Sequence, residues 1–200
     1  MLAVFLDQET TGLDASKHSV IEVAFKIVNL TEDRRLADYQ RVIQLPVLEW
    51  EKRDLASISV NGFTWDRIRE GTSIDQVRKE VIELLNLHQI QRGKAVIICQ
   101  NPAFDRAFFS QIVDVYTQEK HQWPYHWLDL ASMFWTKQMH LFQEKKESIP
   151  ICMNLSKDEI AKYYHLPSEI RPHRAMNGVE HLMLCYEAVV GKTSTISMES

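Results

Sequence analysis

Cysteine is scarce in this chain. Cys99, Cys152 and Cys185 are odd in number, widely spaced and without a CxxC pair, which argues against a disulfide framework or a structural zinc site. They read as reduced, core cysteines of a cytosolic protein, and a cytoplasmic location is the expectation. Long apolar runs are also missing: Ala95-Val96-Ile97-Ile98-Cys99 is among the longest. No membrane span is therefore expected, and no basic region followed by a signal-length apolar stretch opens the chain. Positive charge is not in excess either. A formal net charge of −4 removes the global basic field that marks many nucleic-acid binders.

The composition that remains is 45% hydrophobic and 25% charged over 200 residues, enough for one domain with a sizeable core. No repeat or linker divides it. We expect a single domain over residues 1–190 and a Ser/Thr-rich tail, flexible, over 191–200.

The apolar stretch Leu2-Ala3-Val4-Phe5-Leu6 reads as a strand buried on both faces. It runs directly into Asp7-Gln8-Glu9. Residues two apart on a strand project to the same side, so Asp7 and Glu9 point together and Gln8 points away. Unpaired buried carboxylates are costly. Hard oxygen ligands of this kind suit Mg²⁺ or Mn²⁺, although an acid-x-acid triplet alone is more often a solvated strand end turning at Thr11-Gly12.

Further strands are predicted over Ser19–Leu30 and Tyr39–Leu45, which make a three-stranded meander with the first, and over Ala95–Cys99. Helical spacing predicts a helix over Ser73–Leu87, capped by Thr72 or Ser73. Another runs over Pro102–Thr117, with Asn101 as cap and Pro102 at the first position. A short strand at Trp127–Leu130 leads into a helix through Leu141. Residues 137–154 look charged and irregular. Ser156-Lys157-Asp158-Glu159 forms a capping box that opens a helix to about Tyr164, and a last helix covers about Ala175–Val190. Early strands followed by alternating helix and strand indicate an α/β or α+β fold of three layers.

Two other segments carry chemistry. Asp105 falls in the first turn of the helix at 102–117, near its positive dipole end and at the C-terminal edge of the sheet, a common place for ligands. Pro172-His173-Arg174-Ala175 stands just before the last helix. A lone histidine in such a place is more often a surface or cap residue, and this chain has eight histidines.

Taken in order, Asp7-Gln8-Glu9-Thr10-Thr11-Gly12-Leu13, then Gln100-Asn101-Pro102-Ala103-Phe104-Asp105, then His173-Arg174-Ala175 resemble the DEDDh family of 3′–5′ exonucleases over about residues 2–190. Val20-Ile21-Glu22-Val23-Ala24 resembles the family's second strand, and Asn61-Gly62-Phe63-Thr64 its His-Gly-Ile-Thr loop. The second motif departs from the family in having Gln100 where a histidine is usual. The resemblance implies a ribonuclease H-like fold, a central mixed sheet flanked by helices. It also implies two divalent cations, Mg²⁺ or Mn²⁺, about 3.5–4 Å apart on the scissile phosphate. Asp7, Glu9 and Asp105 would be the ligands and His173 the general base, for which an imidazole's reference pKa of about 6.5 is suited. Thr10, Leu13, Phe63, Asn101 and Arg174 would bind substrate, with Leu13 and Phe63 packing on the terminal base and Arg174 and Arg171 on phosphates. Single-stranded 3′ ends of DNA or RNA are the implied partners. A DNA polymerase partner and a homodimer are further possibilities that the family offers.

The third motif lacks a part. The family places a metal-binding aspartate five residues after the histidine, and here that position is Gly178. Glu180 lies about 200° further round a helix, and His181 is a poorer partner for a hard ion. Two accounts stay open: Asn177-Gly178 forms a turn with the helix starting later, or Gly178 stands in place of the aspartate, by nature or by design. The readings that follow are an exonuclease, weakened at this position; a catalytically silent nucleic-acid-binding or polymerase-accessory domain; or a structural protein that inherited the fold.

Overall fold

The computed structural model describes residues 1–191. The expected tail over 191–200 therefore lies, except for Gly191, outside the described residues. The strands are β1 (Leu2–Thr10), β2 (Val20–Asn29), β3 (Arg34–Val42), β4 (Ala95–Cys99) and β5 (Trp127–Asp129). The helices are α1 (Val47–Glu51), α2 (Leu55–Asn61), α3 (Trp65–Arg69), α4 (Ile74–Leu87), α5 (Pro102–Ile112), α6 (Val115–Lys120), α7 (Leu130–Lys145), α8 (Lys157–Tyr163) and α9 (Ala175–Val190). The five strands form one mixed sheet in the order β3-β2-β1-β4-β5, with β1 at its centre. β2 runs antiparallel to β1 and β4 parallel to it.

Because β1 is paired on both edges, its side chains feed two cores in alternation. Val4 and Leu6 pack with Val77, Val81 and Leu85 of α4 and Phe108, Phe109 and Ile112 of α5. Ala3 and Phe5 face the other way, against Leu130 and Phe134 of α7, Ile160 of α8 and Val179, Leu182 and Cys185 of α9. This gives the expected three-layer α/β fold. Asp7 and Glu9 continue the Ala3–Phe5 side, so the strand carries both acids to the layer of α8 and α9. Among the described residues no helix is long and apolar enough to cross a membrane.

Several elements differ from the sequence reading. β3 begins at Arg34 and ends at Val42, earlier than Tyr39–Leu45. As an edge strand it buries only Tyr39, so it lacks the alternation that would have marked it. The three short helices over 47–69 are each five to seven residues long, too short to display a period. The helix expected over 102–117 breaks at Val113, where Asp114 turns to accept from the N–H groups of Tyr116 and Thr117 and starts α6. Asp129 similarly caps α7 at Ala131 and Ser132, so Leu130 belongs to the helix and not the strand. α7 also runs on to Lys145, through part of the stretch read as irregular. Its inward-facing Lys137 is accommodated because Nζ donates to the C-terminal carbonyls of Ala188 and Val189, at 3.2 and 2.8 Å. Cys99 and Cys185 are buried, whereas Cys152 is exposed rather than a core residue.

Candidate active site

A cleft of about 290 Å³ opens where the C-terminal end of β1 meets the starts of α5, α8 and α9. Its lining includes Asp7, Glu9, Asp105, Lys157, Glu169 and His173, together with Gln8, Gln100 and Phe104. A larger hollow of about 610 Å³, between the 15–19 loop and α1, gathers no comparable acid cluster.

Each acid is placed by a different local rule. Asp7 and Glu9 share one face of β1, opposite Ala24 and Glu22 of β2, and a register shift follows between Glu9 and Thr10. Gln8 points to the other face, where its Nε2 donates to the backbone carbonyl of Asp105 at 2.7 Å. That bond ties β1 to α5. Asp105 sits in the first turn of α5 and is buried. Asn101 holds the cap position with φ of 60°, yet its side chain makes no capping bond. The expected Asn101 cap is therefore backbone geometry alone, held by the Asn101 N–H donating to Asp129 Oδ1 at 3.1 Å.

Burial is the main influence on these carboxyls. It raises Asp7 to about 6 against the opposing charge of Lys157. It raises Glu9 to about 8, assisted by the neighbouring charges of Asp7 and Glu22, and lifts Asp105 well above the usual range, with Asp7 adding to the effect. Three acids so destabilised as anions form a set that a cation would relieve. Two amide groups also border the cleft. The Nε2 groups of Gln8 and Gln100 donate to the carbonyls of Asp105 and Leu155, which leaves each Oε1 as a buried acceptor with no hydrogen-bond partner in the structure. The three carboxyls offer oxygen, the chemistry of a hard divalent ion. As they stand, however, no three His, Cys, Asp or Glu side chains among the described residues converge closely enough to hold a metal.

Two further residues shape the cleft, Lys157, which the sequence placed only in a capping box, and Gly178. Lys157, the first residue of α8, is held at the cleft by the Ser156 cap, whose hydroxyl accepts from the Glu159 N–H at 3.3 Å. Its Nζ lies 2.9 Å from Glu169 Oε2, 3.2 Å from the Gly178 carbonyl oxygen and 3.8 Å from Asp7 Oδ1. Burial opposes the ammonium, but Asp7 and Glu169 outweigh it and raise its pKa. Glu169 was missed as well. Burial would raise its carboxyl, yet His181 and Lys157 bring it down to about 2. Its spacing of four residues before His173 was the only available signal.

Gly178 is the other residue. α9 starts at Ala175 and continues through Asn177 and Gly178, so the turn account is excluded. Gly178 faces Asp7: a Cβ on it would overlap Asp7 Oδ2 and lie 2.6 Å from Cγ. Gly178 thus faces the acid cluster from within the helix. Glu180 points elsewhere, with its carboxylate 2.7 Å from Lys26 Nζ. His181 is buried behind Glu169, its Nδ1 3.7 Å from Oε2.

His173 reaches the cleft, its Nδ1 3.3 Å from Glu169 Oε1. The assigned substrate residues separate into two groups. Leu13 is 75% exposed, beyond the end of β1 and free to meet a ligand. Thr10 is buried, and its hydroxyl donates to the Gly12 carbonyl, shaping the turn. Phe63 is 2% exposed, with the guanidinium groups of Arg67 and Arg174 over its ring at 4.9 and 4.5 Å. It is therefore not open for a base to stack on as the chain stands. Arg174 also donates to the carbonyls of Asn61 and His173, fastening α2 to the start of α9.

An acid cluster and a histidine at the C-terminal edge of a three-layer mixed sheet place the chain in the class of ribonuclease H-like exonuclease domains. The exonuclease family RNase_T matches residues 4–184, and the chain belongs to that family. No curated protein sequence matches it significantly. Among solved structures it is similar to cell-death related nuclease 4 (TM-score 0.69, 16% identity, covering 95% of this chain and 64% of that one). It is also similar to Escherichia coli exonuclease I in complex with a dT13 oligonucleotide (TM-score 0.69, 15% identity, 96% and 41%). A third is a 3′-exonuclease described in 3′-end-specific recognition of a histone mRNA stem-loop (TM-score 0.65, 14% identity, 97% and 68%). The chain spans less than two thirds of the first two.

Proposed function

We propose that this domain is a divalent-metal-dependent 3′–5′ exonuclease acting on single-stranded ends. One observation carries the reading: four residues from three distant segments, Asp7, Glu9, Asp105 and His173, line a single cleft. One buried and two partly buried carboxyls gathered in this way favour a functional site over a structural role. Asp7, Glu9 and Asp105 are the residues that would hold a divalent cation, which would supply charge to a phosphate and acidity to a water molecule. His173 reaches the same cleft, where an imidazole would serve to accept a proton from water. Arg171, with its side chain 71% exposed, and Arg174 supply positive charge near the cleft for backbone phosphates. The oligonucleotide and stem-loop complexes of the similar proteins agree with such a substrate.

A second reading, a silent nucleic-acid-binding domain, is favoured by Gly178 and Lys157. The deciding experiment incubates a 5′-labelled single-stranded oligonucleotide with Mg²⁺ or Mn²⁺ and the chain, Asp7→Ala or Gly178→Asp. Cleavage by the chain that is lost in Asp7→Ala supports the enzyme. Binding without cleavage supports the silent domain, and neither binding nor cleavage by any variant overturns both.

A further inference from the structure

We propose that the hollow between α7 and α8 is a nucleobase pocket, which takes one base of a single strand whose 3′ end lies in the cleft. It rests on the exonuclease reading above only in needing a nucleic-acid strand, and it adds a subsite to which none of the acid and histidine motifs contributes.

The hollow measures about 470 Å³ and is lined by Phe134, Gln138 and Phe142 of α7, Tyr163 of α8 and Met153 of the segment between them. That volume suits a small planar ligand. The three α7 residues stand four apart, so they form one stripe along the helix. A glutamine in the middle of such a stripe is the anomaly. Gln138 is only 5% exposed, and its Nε2 has no hydrogen-bond partner among the described residues. A buried amide donor left unpaired is costly, and a leucine would fill the same place between two phenylalanines without that cost. The donor is accounted for when a ligand brings an acceptor.

The rings indicate which ligand. Tyr163 is 49% exposed, and its ring is held in edge-to-face contact with Phe134 and Tyr164 at centroid distances of 5.3 and 5.0 Å. A ring braced in this way offers a stacking surface with little rotamer freedom left to lose. Phe63, under two guanidinium groups, offers none. Flat bases stack on such a ring, and a base edge carries the carbonyl oxygens and ring nitrogens that an amide donor reads. An aliphatic ligand would use the rings but leave Gln138 unpaired. α8 also joins the hollow to the cleft: Ser156, Lys157 and Asp158 line the cleft, whereas Glu159, Lys162 and Tyr163 line the hollow. The helix has seven residues, about 10 Å of length, so a short strand reaches both.

Binding of a labelled single-stranded oligonucleotide is measured by fluorescence anisotropy in excess EDTA, where metal-dependent cleavage cannot intervene. Tyr163→Ala should weaken it about fivefold or more. Gln138→Leu should weaken it about threefold or more while the thermal midpoint of the free chain stays level or rises, since the unpaired amide is gone. Unaltered affinity in either folded variant overturns the proposal, and so does a lower midpoint in Gln138→Leu, which would give the amide a structural role. A nucleoside monophosphate that binds as tightly as the oligonucleotide would make this a free-nucleotide site and overturn the strand-borne base. If Tyr163→Ala does not fold, an iodouracil-substituted oligonucleotide decides on the unaltered chain: photo-attachment to Tyr163 or Phe142 supports the pocket, and attachment only elsewhere, or none, overturns it. Weakened binding in the variants with no cleavage in the metal-supplemented assay leaves the pocket standing without the exonuclease, whereas cleavage with unaltered binding leaves the exonuclease without the pocket.

Discussion

At Gly178 two ordinary preferences oppose each other. In an exposed helix, Gly→Ala gains about 1 kcal/mol, but here the new methyl meets the Asp7 carboxylate. Because Asp7 is only partly exposed and faces the Lys157 ammonium, it has little room to yield, and overpacking typically costs about 1–3 kcal/mol. Gly178→Ala is therefore expected to lower the thermal midpoint; a higher midpoint would show that Asp7 moves freely. Glu9 supports a pH prediction. Its pKa in the folded chain, about 8, lies above the ordinary value of 4.5, so between these values the folded state holds a proton that the unfolded state releases. The stability of the metal-free protein should fall as pH rises from about 4.5 to 8. We expect a midpoint on the order of 5 °C lower at pH 8 than at pH 5, with a flatter profile in Glu9→Gln. Equal slopes in the two proteins would mean that Glu9 ionises without difficulty.

Among the elements, α9 depends most on tertiary help. Its cap residue, Arg174, makes no side-chain capping bond. Instead the first helical N–H, that of Ala175, donates to Oε2 of the fully buried Glu22 on β2 at 2.8 Å. Glu22 Oε1 accepts in turn from Gln40 at 2.9 Å. A carboxylate on a neighbouring strand thus does what a serine or aspartate at the helix start normally does, and it fixes where His173 emerges. Glu22→Ala would leave the buried Ala175 N–H unpaired. Destabilisation of about 1–3 kcal/mol in denaturant titration is expected; a loss below about 0.5 kcal/mol would show that the helix start is held by packing alone. The capping box before α8 was legible because its cap is local. The start of α9 was legible only as a change of periodicity, because its cap lies 153 residues away.

For the molecule as a whole, a net charge of −4 means that nucleic-acid affinity must come from a few local cations. Arg171, 4.0 Å from Asp158 of the cleft, and Arg174, next to His173, are the candidates, and two phosphate contacts on a single strand correspond to a slope of about −1.4 in log K against log salt. Fluorescence anisotropy over a salt series should return that slope, with Arg171→Ala reducing its magnitude by about 0.7. A slope near zero would exclude backbone phosphate contact.

The sequence alone determined what is local or repeats with a short period: β1 and the common face of Asp7 and Glu9, β4, α4, the Ser156 cap, the last helix and the order of the acid and histidine motifs. The motif order also pointed to the family, since the order of residues survives without knowledge of contacts. Tertiary structure decided the rest. Whether Gly178 was a turn or a bare helix position depended on α9 packing against Asp7. That Phe63 lies beneath two arginines depended on α2, α3 and α9 meeting. Lys157 and Glu169 carry no motif, and they matter because folding brings an ammonium, a carboxylate and Asp7 together across the cleft. Burial and charge pairing are properties of neighbours in space, and sequence spacing reports such neighbours only within one element.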